Sequence, residues 1–173
     1  ASNNTAMGYG ALYSNTTASN NTAVGYQSLY TNITTVSNTA LGYQSLYSNV
    51  QNNNTAVGFQ AGRANTTGTI DAFGLNALYQ NTTGSSNVAV GQSALQANTT
   101  ASNNTAVGYQ ANYSLTTNGD STAIGYRALY LNTIGGNAAV GSLSATSNTT
   151  GAGLVAMGYG SLQANTSGGS NTA

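Results

Sequence analysis

In Asn103-Asn104-Thr105-Ala106-Val107-Gly108-Tyr109-Gln110, small and large residues alternate with a period of two, which suits a strand and no helix. The Thr-Ala-Val-Gly centre of this stretch recurs through all 173 residues, its Ala falling at 6, 23, 40, 56, 72, 89, 106, 123, 139, 156 and 173. Successive copies lie 16 or 17 residues apart. A near-constant period of this length marks a solenoid, in which every coil repeats one structural unit.

Aligning the copies turns the sequence into columns. Ala6, Ala23, Ala40, Ala106 and their counterparts are Ala in every coil, and Gly8, Gly25, Gly42, Gly108 and theirs are always Gly. Between the two stands a bulky apolar residue each time, including Met7, Val24, Val57, Phe73, Val107 and Ile124. Five residues further on, a Leu column (Leu12, Leu29, Leu46, Leu78, Leu95, Leu129, Leu162) is broken by Gly62, Asn112 and Ala145. The 12 tyrosines share two columns, one with Tyr9, Tyr26, Tyr43 and Tyr109, the other with Tyr13, Tyr30, Tyr47 and Tyr113. An Asn column that includes Asn15, Asn32, Asn65 and Asn98 fails only at Leu115.

These columns predict an all-β chain, residues 1–173 forming a single parallel β-solenoid, or β-roll, of about ten coils of 16–17 residues. Each coil reads as two short strands joined by turns, since the Asn-Thr-Thr-Gly and Asn-Thr-Thr-Ala runs carry residues that tolerate left-handed backbone. Coils stacked at a strand spacing of about 4.8 Å give a rod about 48 Å long. Asn side chains then form amide ladders and Tyr rings form stacks. Because the Val and Leu columns lie five apart, and so differ in strand parity, a corner is expected just after the Gly.

Two orientations of the strand remain open. With Val facing the interior, Ala and Gly face outward, and their unvarying smallness implies close approach by another backbone, as in a parallel trimer. In the opposite orientation Ala and Gly line a very thin coil, and Val and Tyr face neighbours. Either implies self-association, as a homotrimer or an end-to-end filament, for a surface with almost no charge. Both termini are in register with the repeat, so the coils are expected to continue beyond them as a longer fibre.

Composition narrows function. The charged residues are Arg63, Arg127, Asp71 and Asp120, while 25 Asn, 26 Thr and 22 Gly fill 73 of 173 positions. His, Cys, Lys, Glu, Pro and Trp are absent. No catalytic, cofactor-binding or metal site is expected: two carboxylates 49 residues apart cannot act as a pair, and no Cys or His is there to hold a metal. Two arginines make no nucleic-acid surface, and no apolar run approaches the roughly 18 residues of a membrane span. Disorder would also suit a polar, nearly uncharged chain, but it does not account for tyrosines held in columns.

The Thr-Ala-Val-Gly core resembles the Ser-Val-Ala-Ile-Gly core of trimeric autotransporter adhesin heads. The longer pattern Asn-Asn-Thr-Ala-Val-Gly-Tyr-Gln-Ser-Leu-Tyr, followed by Asn-Thr-Thr, is similar to repeats of phage tail-fibre-like proteins. The resemblance covers the whole chain. It implies a non-enzymatic structural shaft of an extracellular appendage, on a cell surface or a virion, with attachment to a receptor.

Three features suggest more. Asn-x-Ser/Thr sequons number twelve, and those in turns (Asn15, Asn65, Asn81, Asn98, Asn148) would accept glycans in a glycosylating host, although Asn- and Thr-rich repeats also create sequons without purpose. Paired Thr columns such as Thr66-Thr67 and Thr99-Thr100 could order water as an ice-binding face, or could cap backbone groups in the turns. Exposed Tyr columns could stack on the sugar rings of a cell-surface glycan, or simply pack between coils. Arg63 and Arg127, which interrupt a Tyr and a Gln column, are expected to be solvated.

Overall fold

A computed structural model describes residues 1–173. Each repeat supplies one strand: β1 Thr5–Met7, β2 Thr22–Val24, β3 Thr39–Leu41, β4 Thr55–Val57, β5 Ile70–Phe73, β6 Asn87–Val90, β7 Thr105–Val107, β8 Thr122–Ile124, β9 Ala138–Val140 and β10 Val155–Met157. They form one parallel sheet in chain order, and nine turns of the solenoid carry the chain from β1 to β10. The register stacks Ala6 on Ala23, Ala40 and Ala56, and Met7 on Val24, Leu41 and Val57. No helix is long and apolar enough to cross a membrane.

The second strand expected in each coil is absent. Its place is taken by a turn-rich segment whose backbone is left-handed at fixed positions, as at Asp120 (φ 64°), Gly125 (φ 135°), Arg127 (φ 52°) and Leu129 (φ 53°). A non-Gly residue there costs about 1–2 kcal/mol, so the coil must recover it. It does so through bonds between coils. The N–H of Gln27 donates back to Tyr9 O (2.8 Å), while those of Leu29 and Thr31 donate forward to Ser45 O and Tyr47 O (both 3.1 Å). Of 109 backbone–backbone bonds, 89 lie outside the strand ladders: some close turns within a coil, as Ala11 N–H to Gly8 O does, and the others join one coil to the next.

Of the two strand orientations left open by the sequence, the thin-coil one is observed, with Ala inward and Val outward. Ala23, Ala40, Ala56, Ala106 and Ala123 are fully buried. Val24, Val57 and Val107 point outward and are half-buried, and Ile124 is exposed. Left-handed residues after the Gly corner reset the side-chain parity, so Leu29, Leu46, Leu78, Leu95 and Leu129 turn inward and take the space Val would need. Between the two columns lies a second small column, Ser28, Ser45, Ala61, Ala77 and Ala94, fully buried as well. Only Ala6 and Ala173, in the first and last copies, are exposed among the named Ala positions.

The glycines pack closely, as the sequence suggested, but against the next coil of the same chain. A Cβ on Gly25 would stand 2.4 Å from Gly42 O, and one on Gly42 would stand 2.3 Å from Gly58 O. Neither Ala nor Gly therefore implies a second backbone.

Three breaks in the Leu column are compensated nearby. Gly62 leaves a space that Ile70 enters from the following coil, its Cδ1 lying 2.6 Å from where a Gly62 Cβ would be. In one coil Asn112 stands in the Leu column and Leu115 in the Asn column, both fully buried. Where Ala145 replaces Leu, Leu154 appears nine residues later, 1% exposed. Interior volume is conserved even where the repeat is not, as close packing requires.

Candidate functional site

With Ala inward, the flanking positions of every strand form two outward columns. One runs through Thr5, Thr22, Thr39, Thr55 and, further along, Thr105 and Thr122, and the other is the Val column. The chain then turns at Gly and presents the Tyr column. The exposed bulky side chains concentrate along this edge, among them Phe73, Val90, Ile124, Tyr26, Tyr43 and Tyr126. This makes an apolar ridge down one side of the rod.

The aromatic face beyond the Gly corner holds two ring ladders. Tyr9, Tyr26, Tyr43 and Phe59 stack at centroid spacings of 5.3, 5.2 and 5.0 Å, with interplanar angles of 14° or less. Tyr13, Tyr30 and Tyr47 form the second ladder at 5.0 and 5.1 Å, and Tyr109 stacks on Tyr126 at 5.5 Å. Ring faces within a ladder are taken up by neighbouring rings, so most of them offer solvent an edge and a hydroxyl. Crowding raises the Tyr30 phenol above its ordinary value, first by desolvation and then by the phenols of Tyr13 and Tyr47.

The arginines are not simply solvated. Arg63 sits over Tyr47 (5.4 Å) and Tyr79 (5.9 Å), continuing the second ladder, and its Nε donates to Gln44 Oε1 at 3.0 Å. Arg127 lies near Tyr126 (5.4 Å) and Tyr130 (4.9 Å) and donates to Gln110 Oε1 at 2.8 Å. Cation–π contact explains why an Arg can stand in a Tyr column. Between the ring ladders Gln60, Gln44 and Gln27 form an amide ladder of their own, at 3.2 and 2.9 Å.

Two further ladders run inside. Asn81 donates to Asn65 Oδ1 (2.8 Å), Asn98 to Asn81 Oδ1 (2.6 Å) and Asn148 to Asn132 Oδ1 (2.9 Å). Leu115 interrupts this ladder, and the buried Oδ1 of Asn98 is left without a partner. Sequence reading missed the other ladder as a structural element, although its signal is the Asn that opens most copies of the repeat, as Asn21, Asn38, Asn54 and Asn104 do. There the side chains of Asn21, Asn38 and Asn104 accept from the backbone N–H of Asn38, Asn54 and Ser121, each at 2.9 or 3.0 Å.

Burial places the sequon asparagines. Asn65, Asn81, Asn98 and Asn148 are fully buried, as is Asn32, and their amide nitrogens are committed to neighbouring coils and turn carbonyls, so the folded chain presents no acceptor there. Asn15 is half-buried, whereas Asn3, Asn20, Asn53 and Asn103 are exposed. In the first Thr column the hydroxyls of Thr66, Thr82 and Thr99 donate to the carbonyl of the next coil at 2.8, 3.0 and 3.1 Å. The second column, through Thr67, Thr83 and Thr100, is exposed.

No family model, curated protein or solved structure matches the chain.

Proposed function

We propose that the chain is a shaft segment of an extracellular fibre, of the phage tail-fibre or bacterial surface-adhesin kind, that works by self-association as a homotrimer or an end-to-end filament. The observation that carries this reading is the ridge of exposed Val, Ile, Phe and Tyr side chains running the length of the rod. Monomeric proteins seldom leave a continuous apolar strip of several hundred Å² uncovered. Unbroken stacking of ten strands in chain order is also what an axial load-bearing element needs. Attachment to a cell-surface glycan would use the ring edges and hydroxyls of the Tyr ladders, because the faces are paired within the stack. Electron microscopy with fibre diffraction tests the proposal: rods wider than one chain with an axial repeat of about 4.8 Å are expected. A monodisperse monomer at high concentration would overturn it.

An ice-binding solenoid is the second reading, favoured by the outward-facing Thr5, Thr22, Thr39 and Thr55 column on a regular strand face that includes the Val column. An ice-recrystallisation assay separates the two readings. Inhibition at micromolar chain would favour ice binding, and growth of ice grains unchanged from buffer would remove it.

A further inference from the structure

Asn118-Gly119 is the single Asn-Gly step among 25 asparagines. Its turn is held less firmly than its neighbours. In the coil before it, the carbonyl of Ala101 accepts from the side-chain amides of Asn98 (3.1 Å) and Asn87 (2.8 Å). Gly151 O likewise accepts from Asn148 (2.9 Å) and Asn137 (2.8 Å). Asn118 holds the equivalent place in its own coil, yet both donors are lost to it. Leu115 stands where the first amide would be, and Asn104 turns its amide to Asn87 Oδ1 at 3.0 Å. The carbonyl of Asn118 accepts nothing, and the N–H groups of Thr116, Thr117, Asn118 and Gly119 donate to nothing within the chain, whereas those of Thr99, Thr100 and Ala101 all reach Thr116 O.

The exchange of Asn112 and Leu115 thus leaves this turn untied before Gly119. Beyond it the chain is fixed: Gly136 N–H donates to Gly119 O and Asp120 N–H to Ser102 O, both at 3.0 Å. Close stacking accounts for the glycine, since a Cβ at position 119 would collide with Ser102 O. The same glycine leaves its backbone nitrogen unshielded by any side chain, next to the exposed Asn118.

We infer that Asn118-Gly119 is a self-modification site, at which the folded chain deamidates with water as the only co-reactant. The hydroxyl of Thr117 donates to Asn118 Oδ1 at 3.1 Å, which draws electron density from Cγ and stabilises the oxygen when that carbon is attacked. Rotation of the untied Asn118 brings Cγ to the Gly119 nitrogen. The bond from that nitrogen to Cγ forms, the Cγ–Nδ2 bond breaks, and ammonia leaves with the proton the nitrogen gave up. Water then opens the five-membered imide at either carbonyl, giving aspartate or isoaspartate at position 118 without oxidation or reduction. Either product adds a negative charge, two residues from Asp120, to a chain whose formal net charge is zero. Isoaspartate also inserts one carbon into the backbone just before the bond between Gly119 and Gly136. Buried ladder residues such as Asn81 and Asn98 are kept from this chemistry because neighbouring coils hold their amides. The modification does not depend on self-association.

Incubating the intact chain in oxygen-18 water at mildly alkaline pH, then mapping its peptides by mass, tests the assignment, with far-UV circular dichroism confirming that each variant folds. Label is expected at position 118 ahead of every other Asn, and Asn118→Gln is expected to carry none there. Thr117→Val removes the hydroxyl and keeps the shape, so conversion about fivefold slower is expected. Asn112→Leu combined with Leu115→Asn returns both columns to their usual order and restores the first donor to the 118 carbonyl; a similar slowing is expected. Should that double variant unfold, the exposed Thr117→Val still decides. An Asn118 that stays intact in the folded chain while the urea-unfolded chain takes up label overturns the proposal. So does an equal rate in the wild type and every folded variant that keeps Asn118, which would trace the reaction to the dipeptide alone.

Discussion

Replacing Gly108 by Ala probes whether the Gly column is there for the sake of stacking. Gly108 has φ +133°, a conformation that L residues rarely adopt, which costs an Ala about 1–3 kcal/mol. The new Cβ would also stand 2.4 Å from Gly125 O and 2.7 Å from its carbonyl carbon. Relieving that contact means moving two coils apart by about 1 Å, and this loosens the bonds of Gly125 N–H to Val107 O (2.7 Å) and Arg127 N–H to Tyr109 O (2.9 Å). At about 1 kcal/mol each, the two bonds bring the total to about 4 kcal/mol. Gly158 provides a matched control, because it belongs to the same column at φ +116° but a Cβ there meets nothing within 4 Å. Gly158→Ala bears only the conformational cost, about 2 kcal/mol. Urea unfolding followed by far-UV circular dichroism should show the larger loss for Gly108→Ala, and amide exchange should quicken at Val107 and Gly125. Equal losses in the two variants would mean that the column answers to backbone conformation alone, and the close-stacking explanation would fail.

Other perturbations separate inside from outside. Leu95→Ala, at a fully buried site, should cost about 3 kcal/mol, whereas Val107→Asp on the outer face should cost about 1 kcal/mol or less in thermal or urea unfolding. The reverse order would restore an inward Val column. Asn81→Ala removes the acceptor of the Asn98 amide and two donor bonds, to Asn65 and Gly84, so about 3 kcal/mol is expected, against almost nothing for exposed Thr83→Ala. Alkaline titration should also destabilise the rod. The Tyr30 phenol is raised in the fold, so its contribution is complete below the unfolded value near 10 and is lost as pH climbs through the higher folded value. Melting temperature should therefore be level from pH 7 to 9 and fall above 10, with Tyr30→Phe showing a shallower fall.

The repeat length, the parallel stacking and both kinds of ladder were legible because a solenoid places equivalent residues in contact, so the columns themselves list the neighbours. Which side of the strand faces inward was harder to read. Thr105-Ala106-Val107 alternates equally well either way, and the outcome depends on the left-handed turns at Gln110 and Asn112, which parity counting across a strand does not foresee. The missing second strand has the same origin. Leu is a poor candidate for positive φ, yet Leu29, Leu46 and Leu95 adopt it because burial of about 2 kcal/mol per side chain offsets the strain. Column exceptions carried more information than they first gave. Asn112 and Leu115 break two columns within one coil, and taken together they announce an exchange of places in a shared interior.

That interior explains why the candidate surface is apolar at all. Its cross-section is filled by Ala, Ser, Asn and Leu, with no aromatic or Val side chain among the buried residues. A coil of 16 or 17 residues closed by four left-handed corners leaves no width for anything larger. The rings are therefore kept outside by size and the Val column by strand parity, in reverse of the usual partition. Ring stacking covers part of that area on the aromatic face, where neighbouring Tyr residues shield one another. The Val column has no such help. Consecutive Val and Ile side chains touch along the axis but stay open outward, and no substitution within the coil can hide them. Covering that strip requires a second surface of matching length and pitch. The surface that would match it in both respects is another copy of the same rod, so the self-association proposed above would follow from the solenoid geometry.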